Sequence, residues 1–346
     1  MTGRRTTPTS RWLVAGVISL SGLSPAGAVS PPILVEDLGR IARPDEGSVP
    51  HGLAALHGVV VFAAQPDDYA DRLFVTDGSA GGTREVSTSC SDRVPGKIAL
   101  LFAGQDRAYY LSSCNDGSSA LWGVDGAAAV TRLVTLVLQG NVDEEPSLGL
   151  TASGLDRWVE VAGVSYFLYG GRQSPLELWR TDGTMAGTRL VRALDENSGE
   201  GIAGLSATSD GQLVVAAYSS LSWDEHEVSF WQSDGTAAGT TLGRTFLIPG
   251  GGFSFPMFGQ SAAGVLLWVE GETYSSSELW LSDGSETGTA RLAVFHAINS
   301  WTDSSGGFKV DGRSVYFIAT SDGQRSIWRS DLTPETTRPI VNVTGW

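Results

Sequence analysis

The chain has 346 residues, with 44 glycines, 11 tryptophans, 2 cysteines and a formal net charge of −15. Apolar residues make up 41% of it, which is enough for a core, so the excess of glycine indicates many turns rather than disorder. A net negative charge repels a phosphate backbone, which excludes non-specific nucleic-acid binding and disfavours docking on anionic lipid.

The first 28 residues have the organisation of a secretory signal peptide. Arg4, Arg5 and Arg11 stand before or at the start of an apolar run over residues 12–23, which is too short to span a bilayer. Residues 26–28 read Ala-Gly-Ala, the small-x-small pattern that signal peptidase accepts. We expect cleavage after Ala28 and a secreted protein (extracellular, cell-surface or periplasmic) without membrane insertion. An uncleaved anchor is the alternative.

One twelve-residue signature recurs along the rest of the chain with a period near fifty residues. Its clearest copies are Glu-Leu-Trp-Arg-Thr-Asp-Gly-Thr-Met-Ala-Gly-Thr at 177–188 and Glu-Leu-Trp-Leu-Ser-Asp-Gly-Ser-Glu-Thr-Gly-Thr at 278–289. The aspartates of successive copies are 48, 57, 52, 49 and 48 residues apart, and they are Asp77, Asp125, Asp182, Asp234, Asp283 and Asp331. The copies at Asp125 and Asp331 are degenerate after the aspartate. Such regularity indicates a repeat architecture.

Each repeat is predicted to consist of four β-strands. Two short apolar runs joined by a tight turn precede the signature, a further run follows it, and no stretch keeps a 3.6-residue period. Four-stranded units that cannot bury both faces alone must stack, and a ring of them is a β-propeller. We therefore predict an all-β fold, with one propeller domain over residues 29–346 built of six blades.

The ends of the chain leave the blade count open at one point. Residues 33–38 read Ile-Leu-Val-Glu-Asp-Leu and resemble an additional fourth strand, whereas the last repeat already ends in such a strand. The additional strand would either close the ring or belong to a vestigial seventh blade. An open solenoid is the structural alternative.

The two clearest copies resemble the ELWxxDGTxxGT repeat of secreted or surface bacterial proteins. The resemblance covers nearly the whole chain after residue 28. It implies an extracellular, propeller-like repeat protein and it implies no reaction.

The repeated aspartates and tryptophans are interpreted as structural. An Asp-Gly step supplies a side-chain acceptor for a turn and a residue that tolerates positive φ, and the threonine at the end of the signature can hydrogen-bond back across the loop. We expect the second glycine to let the fourth strand leave in register. A catalytic acid is needed once, whereas this aspartate occurs in every repeat. The tryptophans are expected in the blade cores, at Trp122, Trp179, Trp231, Trp280 and Trp328.

The searches for catalytic and metal motifs give no candidates. The chain after residue 28 has no Gly-x-Ser-x-Gly elbow, and its four histidines lack a zinc-binding spacing. We predict no catalytic residue, no metal site and no cofactor; Ca²⁺ stays conceivable but has no supporting motif, because residues 195–200 only loosely resemble an EF-hand loop.

The predicted ligand-binding face is the one that carries the longer connections. Connections between the second and third strands and between successive blades share one face, and they are acidic and contain aromatic residues. The connection over residues 218–228 is one of them. The candidate ligand residues are Asp67, Asp68, Tyr69, Asp195, Glu196, Trp223, Asp224, Glu225, Glu227, Tyr274 and Trp301. Function usually lies on variable loops of a rigid scaffold, and such a composition suits a glycan or a basic protein.

These features favour a secreted binding propeller that acts as a monomer on an extracellular glycan or protein. One alternative is an extracellular carbohydrate-active hydrolase or lyase that uses carboxylates in the propeller channel. Another is a mainly structural envelope component. Acidic loops that merely keep a secreted protein soluble would explain the same composition.

Cys90 and Cys114 are predicted to form a disulfide. Both are expected on the loop-bearing face of neighbouring strands, and export favours oxidation. The bridge would close a loop of about 25 residues and contribute about 3 kcal/mol in the chain-entropy model.

Mass spectrometry of the non-reduced secreted protein checks these expectations. We expect an N-terminus at Val29, and we expect neither Cys90 nor Cys114 to react with a thiol reagent before reduction. Two free thiols would contradict the bridge, and an intact N-terminus in a membrane fraction would contradict cleavage.

Overall fold

The structure is a computed structural model that describes residues 50–65, 71–86, 98–104, 106–113, 118–127, 129–137, 157–170, 175–195, 202–222, 225–249, 256–270, 276–296, 308–311 and 313–343. These ranges consist almost entirely of strands and turns. Within them, no helix has the length and apolar character needed to cross a membrane.

The strands form six four-stranded antiparallel sheets, and each sheet contains four consecutive strands. In blade 1 they are β1 (His51–Leu56), β2 (Val59–Ala64), β3 (Arg72–Thr76) and β4 (Arg84–Val86). In blade 2 they are β5 (Ile98–Ala103), β6 (Arg107–Ser113), β7 (Ser118–Asp125) and β8 (Val130–Val137). In blade 3 they are β9 (Trp158–Val161), β10 (Val164–Tyr169), β11 (Leu176–Thr181) and β12 (Arg189–Asp195).

The second half of the chain repeats the same arrangement. Blade 4 contains β13 (Ile202–Ala207), β14 (Leu213–Ser220), β15 (Glu225–Ser233) and β16 (Thr241–Pro249). Blade 5 contains β17 (Met257–Ser261), β18 (Gly264–Glu270), β19 (Ser276–Ser282) and β20 (Thr289–His296). Blade 6 contains β21 (Lys309–Asp311), β22 (Ser314–Ser321), β23 (Gln324–Ser330) and β24 (Arg338–Asn342).

Successive sheets pack face to face through apolar cores. Each of the five junctions from blade 1 to blade 6 has its own cluster, represented by the pairs Leu56 and Tyr110, Leu121 and Phe167, Leu178 and Leu205, Phe230 and Leu267, and Leu279 and Phe317. The second strands of blades 1, 3, 4 and 5 are largely buried on both faces, which explains why their sequences are continuous apolar runs; in blade 6, Ile318 of β22 is exposed. The predicted fold, a six-bladed β-propeller, is confirmed.

The last blade consists of C-terminal strands alone, since β21 to β24 complete its sheet. Residues 33–38, which the sequence interpretation considered as a closing strand, lie outside the described residues.

The strand order gives the propeller two different ends. In each blade the connections between the first and second strands and between the third and fourth strands lie at one end, here called the turn end. The connections between the second and third strands and between blades lie at the opposite end, here called the loop end.

The signature hairpin at the turn end is held by its own side chains. In four copies, at Asp77, Asp182, Asp234 and Asp283, the aspartate Oδ1 accepts hydrogen bonds from the backbone N–H and the hydroxyl of the Ser or Thr two residues later, at 2.6–2.9 Å. That hydroxyl oxygen in turn accepts the N–H of the second glycine at 2.9–3.0 Å. The loop therefore satisfies its own polar groups.

A second hydrogen bond joins the two sides of the hairpin. The final threonine of the signature donates its hydroxyl to the carbonyl of the Ser or Thr after the Asp-Gly step, at 2.5–2.8 Å. Because a hydroxyl has one hydrogen, the Ser or Thr before the aspartate must be the donor in the 2.6–2.7 Å contact with that threonine. This contact across strands is the hydroxyl clasp, and the sequence interpretation identified only its threonine.

The two degenerate copies keep different parts of this arrangement. Around Asp331 the hydroxyl clasp survives between Ser330 and Thr337 at 2.7 Å, but the carboxylate instead accepts from Ser314 and Arg329. Asp125 keeps the carboxylate function, since its Oδ1 accepts the N–H groups of residues 127 and 129 at 3.0 and 2.9 Å.

The two positions of the signature are occupied by glycine for different reasons. The first has a φ of +82° to +89° in the four regular copies, a conformation that side chains rarely adopt. A Cβ on the second would lie 2.0–2.2 Å from the nearest atom of the aspartate carboxyl group. The second glycine therefore makes room for the carboxylate, a role that the sequence interpretation did not assign to it.

Hydrogen bonding also lowers the pKa of these carboxyl groups. The hydroxyl of Ser79 and then its N–H lower the pKa of Asp77, and Thr184 and Thr236 act in the same way on Asp182 and Asp234. A carboxyl group with a lowered folded-state pKa stabilises the fold above its unfolded pKa, and this contribution is lost as the pH falls through the lowered value.

Adjacent glycines of the first signature provide a matched test. Gly82→Ala would place a methyl group 2.0 Å from Asp77 Oδ1, so the carboxylate must move; we expect a loss of about 1–3 kcal/mol in the free energy of unfolding. Gly81→Ala meets no atom within 4 Å, and we expect a change within about 0.5 kcal/mol. Urea unfolding followed by tryptophan fluorescence measures both, and equal effects at the two positions would contradict this role of the second glycine.

Candidate interaction surface

The signature hairpins contact the preceding blade as well as forming hydrogen bonds within themselves. A Cβ on Gly183 would meet the Arg107 side chain of blade 2, and one on Gly235 would meet the Tyr166 hydroxyl of blade 3 at 2.3 Å. On Gly284 it would lie 2.7 Å from the Trp231 carbonyl oxygen of blade 4. The first glycine thus has a second reason to lack a side chain, because the neighbouring blade packs against it.

Two arginines extend this contact between blades. Arg192 of blade 3 donates from Nη1 to the Thr240 carbonyl at 2.7 Å, and its guanidinium lies 5.9 Å from the centre of the Trp231 ring. Arg244 of blade 4 repeats the arrangement on blade 5, with the Thr289 carbonyl at 3.0 Å and the Trp280 ring at 5.8 Å. Both arginines stand ten residues after the aspartate of their own repeat.

The signature tryptophans therefore lie at the blade junctions. Trp122 is buried, as expected for a core residue, with 7% of its surface exposed. Trp179, Trp231, Trp280 and Trp328 are half-buried and pack at the margins of the clusters. Their edges reach the surface because the blades diverge toward the outside of the ring.

Most of the predicted ligand residues lie outside the described residues. These are Asp67, Asp68, Tyr69, Glu196, Trp223, Asp224, Tyr274 and Trp301, and the same holds for Cys90 and Cys114. The backbone of Asp195 ends β12, where it pairs with Leu176.

Glu225 and Glu227 lie on a strand, which corrects the interpretation of residues 218–228 as a loop. β14 continues to Ser220 and β15 begins at Glu225, so the connection between them is four residues long. Glu227 pairs with Ser219 on one side and Leu247 on the other. Continued backbone pairing on both sides stabilises the extended conformation of this polar segment, which lacks the apolar residues that marked the other strands.

The two glutamates share a face with exposed apolar side chains of the outer strand. Alternate residues of a strand face the same side, so Glu225 and Glu227 lie on one face of β15. Directly opposite residues of an antiparallel pair also share a face, which places Leu247 beside Glu227. Leu242 and Leu247 are 52% and 55% exposed. We name the set Glu225, Glu227, Leu242, Thr245 and Leu247 the blade-4 flank.

The opposite face of the same strands is fixed in the core. Val228, Phe230 and Ile248 belong to the cluster between blades 4 and 5, and Phe246 packs against it. The Tyr218 ring lies 4.9 Å from the His226 ring on this side. Glu225, Leu242, Thr245 and Leu247 of the blade-4 flank are exposed and Glu227 is half-buried, and all five stand on a well-supported sheet rather than on an isolated loop.

A second polar cluster at the loop end joins blades 1 and 2, and the sequence analysis missed its importance. Asp71 is 2% exposed, and its carboxylate accepts the Ile98 N–H at 2.7 Å and the Gln65 amide at 2.9 Å. His51 Nε2 lies 3.3 Å from Asp71 Oδ2 and 3.1 Å from the Ile98 carbonyl oxygen. The cluster fixes the start of blade 2 to blade 1.

In the described ranges, no group of three or more His, Cys, Asp and Glu residues is arranged to hold a metal ion.

Two acids at the junction of blades 1 and 2 allow a matched test of the Asp71 cluster. Asp71→Ala leaves the buried Ile98 N–H without its acceptor, and we expect a loss of about 1–3 kcal/mol in the free energy of unfolding. Asp106 also pairs with a histidine, His57, at 3.0 Å, but its side chain is 85% exposed. For Asp106→Ala we expect a change within about 0.5 kcal/mol in urea unfolding. Similar losses in the two variants would contradict the special role of Asp71.

Comparison with known proteins gives similarity of fold only. No protein-family model matches the chain, and no curated protein sequence matches it. The β-propeller domain of the Trilobed protease from Pyrococcus furiosus is 11% identical with a TM-score of 0.42, over 84% of this chain and 82% of that one. A protein from Lactobacillus plantarum is 12% identical with a TM-score of 0.44, over 85% and 84% of the two chains. A prolyl endopeptidase is 10% identical with a TM-score of 0.45; the similarity covers 85% of this chain but 42% of that one.

Proposed function

We propose that the protein is a secreted or cell-surface propeller of the ELWxxDGT-repeat type that binds an extracellular protein or glycan and performs no chemistry of its own. The observation that carries this proposal is the blade-4 flank, where Glu225 and Glu227 stand beside the exposed Leu247 on a rigid sheet. Covering the two exposed leucines with a partner would contribute roughly 1 kcal/mol each, and the carboxylates would select for basic groups.

The position of the acidic side chains and their hydrogen bonds support the same conclusion. At the turn end, the carboxylates of the regular signatures already accept hydrogen bonds from their own loops. These carboxylates stabilise the hairpins and have fewer lone pairs left to accept hydrogen bonds from a ligand. On the blade-4 flank, by contrast, acidic and apolar side chains lie together at the surface, and such a combination is suited to recognition of another macromolecule.

The carbohydrate-active alternative concerns the centre of the ring. A glycoside hydrolase requires two well-placed carboxyl groups. Near the axis, the Gln260 side-chain amide donates to the Trp158 and Leu205 carbonyls at 2.7 and 2.9 Å and joins the innermost strands of blades 3, 4 and 5. An uncharged side chain thus joins these three innermost strands, whereas Glu160 of β9 and Asp311 of β21 are exposed acids on innermost strands.

Binding screens on the secreted protein test the proposal. We expect the mature chain to capture a defined protein from culture supernatant or to bind members of a glycan array, and the screens are run with and without calcium. The double variant Glu225→Gln/Glu227→Gln should weaken capture about three- to tenfold, since exposed charge pairs contribute modestly.

A charge-matched control separates recognition from bulk electrostatics. Glu286 and Glu335 are exposed glutamates outside the blade-4 flank, and Glu286→Gln/Glu335→Gln removes the same formal charge. This control should bind as the unchanged protein does. The proposal fails if no ligand is captured, if both double variants weaken capture equally, or if the captured carbohydrate is cleaved.

A further inference from the structure

We propose that the outer edge of β16 binds an extended basic segment of a protein partner by strand addition. This inference rests on the proposed binding function and specifies the chemistry of the ligand. In strand addition, backbone groups of the peptide pair with a sheet edge, and alternate side chains contact the adjoining face. The edge of β16 and the blade-4 flank provide these two elements side by side.

β16 is a long strand with a free outer edge. It extends from Thr241 to Pro249, and in the described part of the chain it is the last strand of its sheet, paired with β15 alone. Natural proteins usually protect such an edge by shortness, charge, proline or a bulge. A bulge occurs where Leu242 and Arg244 pair with adjacent residues of β15. Beyond it, the segment up to Pro249 pairs regularly.

Three of the other outer strands, β4, β12 and β24, are better protected, whereas β8 and β20 resemble β16 in length and carry one arginine each. β4 has three residues, two of which are Arg84 and Glu85. Pro339 of β24 has no N–H to offer a partner. β12 carries Arg189 and Arg192, which would repel a basic segment.

The one charged residue of β16 is turned away from the blade-4 flank. Arg244 pairs with Phe230, whose side chain faces blade 5, and its guanidinium bonds the Thr289 carbonyl of that blade. Leu242, Thr245 and Leu247 are left on the other face, where all three are exposed. A peptide on this edge would therefore meet apolar and hydroxyl side chains first and the carboxylates of β15 behind them.

The spacing of strands explains why lysine or arginine fits. An added strand would lie about 5 Å beyond β16 and about 10 Å from β15. The aliphatic stem of a lysine or arginine opposite Leu247 would pack over that leucine, and its charged end would reach Glu227. A short acidic or polar side chain would gain neither contact.

A second copy of this chain is a weaker candidate for the edge. Edge-to-edge pairing of two copies would bring two strongly acidic chains together, each with a net charge of −15. Neither copy would supply the cations that Glu225 and Glu227 favour. Charge complementarity therefore selects a basic partner.

The test uses a synthetic nine-residue peptide probe. In its extended form, lysine and leucine alternate along one face and threonine occupies every position of the other face. The matched probe has the same composition except for a central proline, which prevents strand pairing without altering charge. Fluorescence anisotropy with the full mature chain should show binding of the first probe at least tenfold tighter than the second. An acidic probe with glutamate for lysine should not bind.

Hydrogen exchange locates the contact, and variants identify its side chains. Binding should slow amide exchange in residues 241–249 and leave residues 289–296 unchanged. Leu247→Lys should reduce affinity at least tenfold, and Glu225→Gln/Glu227→Gln about three- to tenfold. The control is Leu190→Lys, because Leu190 of β12 is 43% exposed and occupies the repeat position of Leu242. It should bind normally, and thermal unfolding checks that each variant is folded.

The outcomes separate this inference from the proposed function. Equal binding of the two basic probes, protection outside β16, or equal losses in Leu190→Lys and Leu247→Lys would overturn strand addition. So would self-association in sedimentation analysis that is abolished by Leu247→Lys. The screens for glycan and protein ligands judge the binding function independently of the probe, so strand addition can fail while a captured ligand still supports that function.

Discussion

The structure depends on the signature hairpin, in which the aspartate carboxylate and the hydroxyl clasp satisfy the turn and the second glycine makes room for the carboxylate. A turn that connects two strands has backbone N–H groups that the ladder does not use, and the aspartate and hydroxyl side chains satisfy them within the turn. The first glycine also presents bare backbone to the preceding blade, as at Gly235 beside Tyr166. One short sequence therefore closes a hairpin and prepares the surface on which the preceding blade packs.

The signature residues serve both the hairpin and the blade junction. The parts of the protein that provide stability are therefore distinct from those available for recognition. At the turn end, carboxylates, hydroxyls and glycines are committed to hairpins and to blade junctions. Toward the outside of the ring the blades diverge, and the outermost strands have less to pack against. Among the described strands, blade 4 has the longest third and fourth strands, nine residues each; Trp231 packs at the junction with blade 3, and Glu225, Glu227 and Leu247 lie beyond it toward the loop end.

Much of the fold could be predicted from the sequence, whereas the candidate site could be predicted only in part. The Asp-Gly repeats and the apolar runs gave the strand number and the six blades because both signals are local. Glu225 and Glu227 were recognised as candidates but assigned to a loop, since a polar, charged segment carries no strand pattern of its own. Pairing with Ser219 and Leu247 makes them a strand, and those partners are distant in sequence or unremarkable in it. Asp71 was left out of the candidate residues for the same reason, because its acceptor role depends on Ile98 of the next blade.

By itself, the sequence determined the repeat, the all-β class and the chemistry of each turn, because these depend on residues within about twelve positions of one another. The tertiary structure decided which side chains stand together. It set Arg192 over Trp231, joined Asp71 to Ile98 and left Leu247 exposed beside Glu227. The physical reason is that packing between blades and the free edge of an outer strand arise only once the ring is assembled, and residues on different strands or different blades share no local signal.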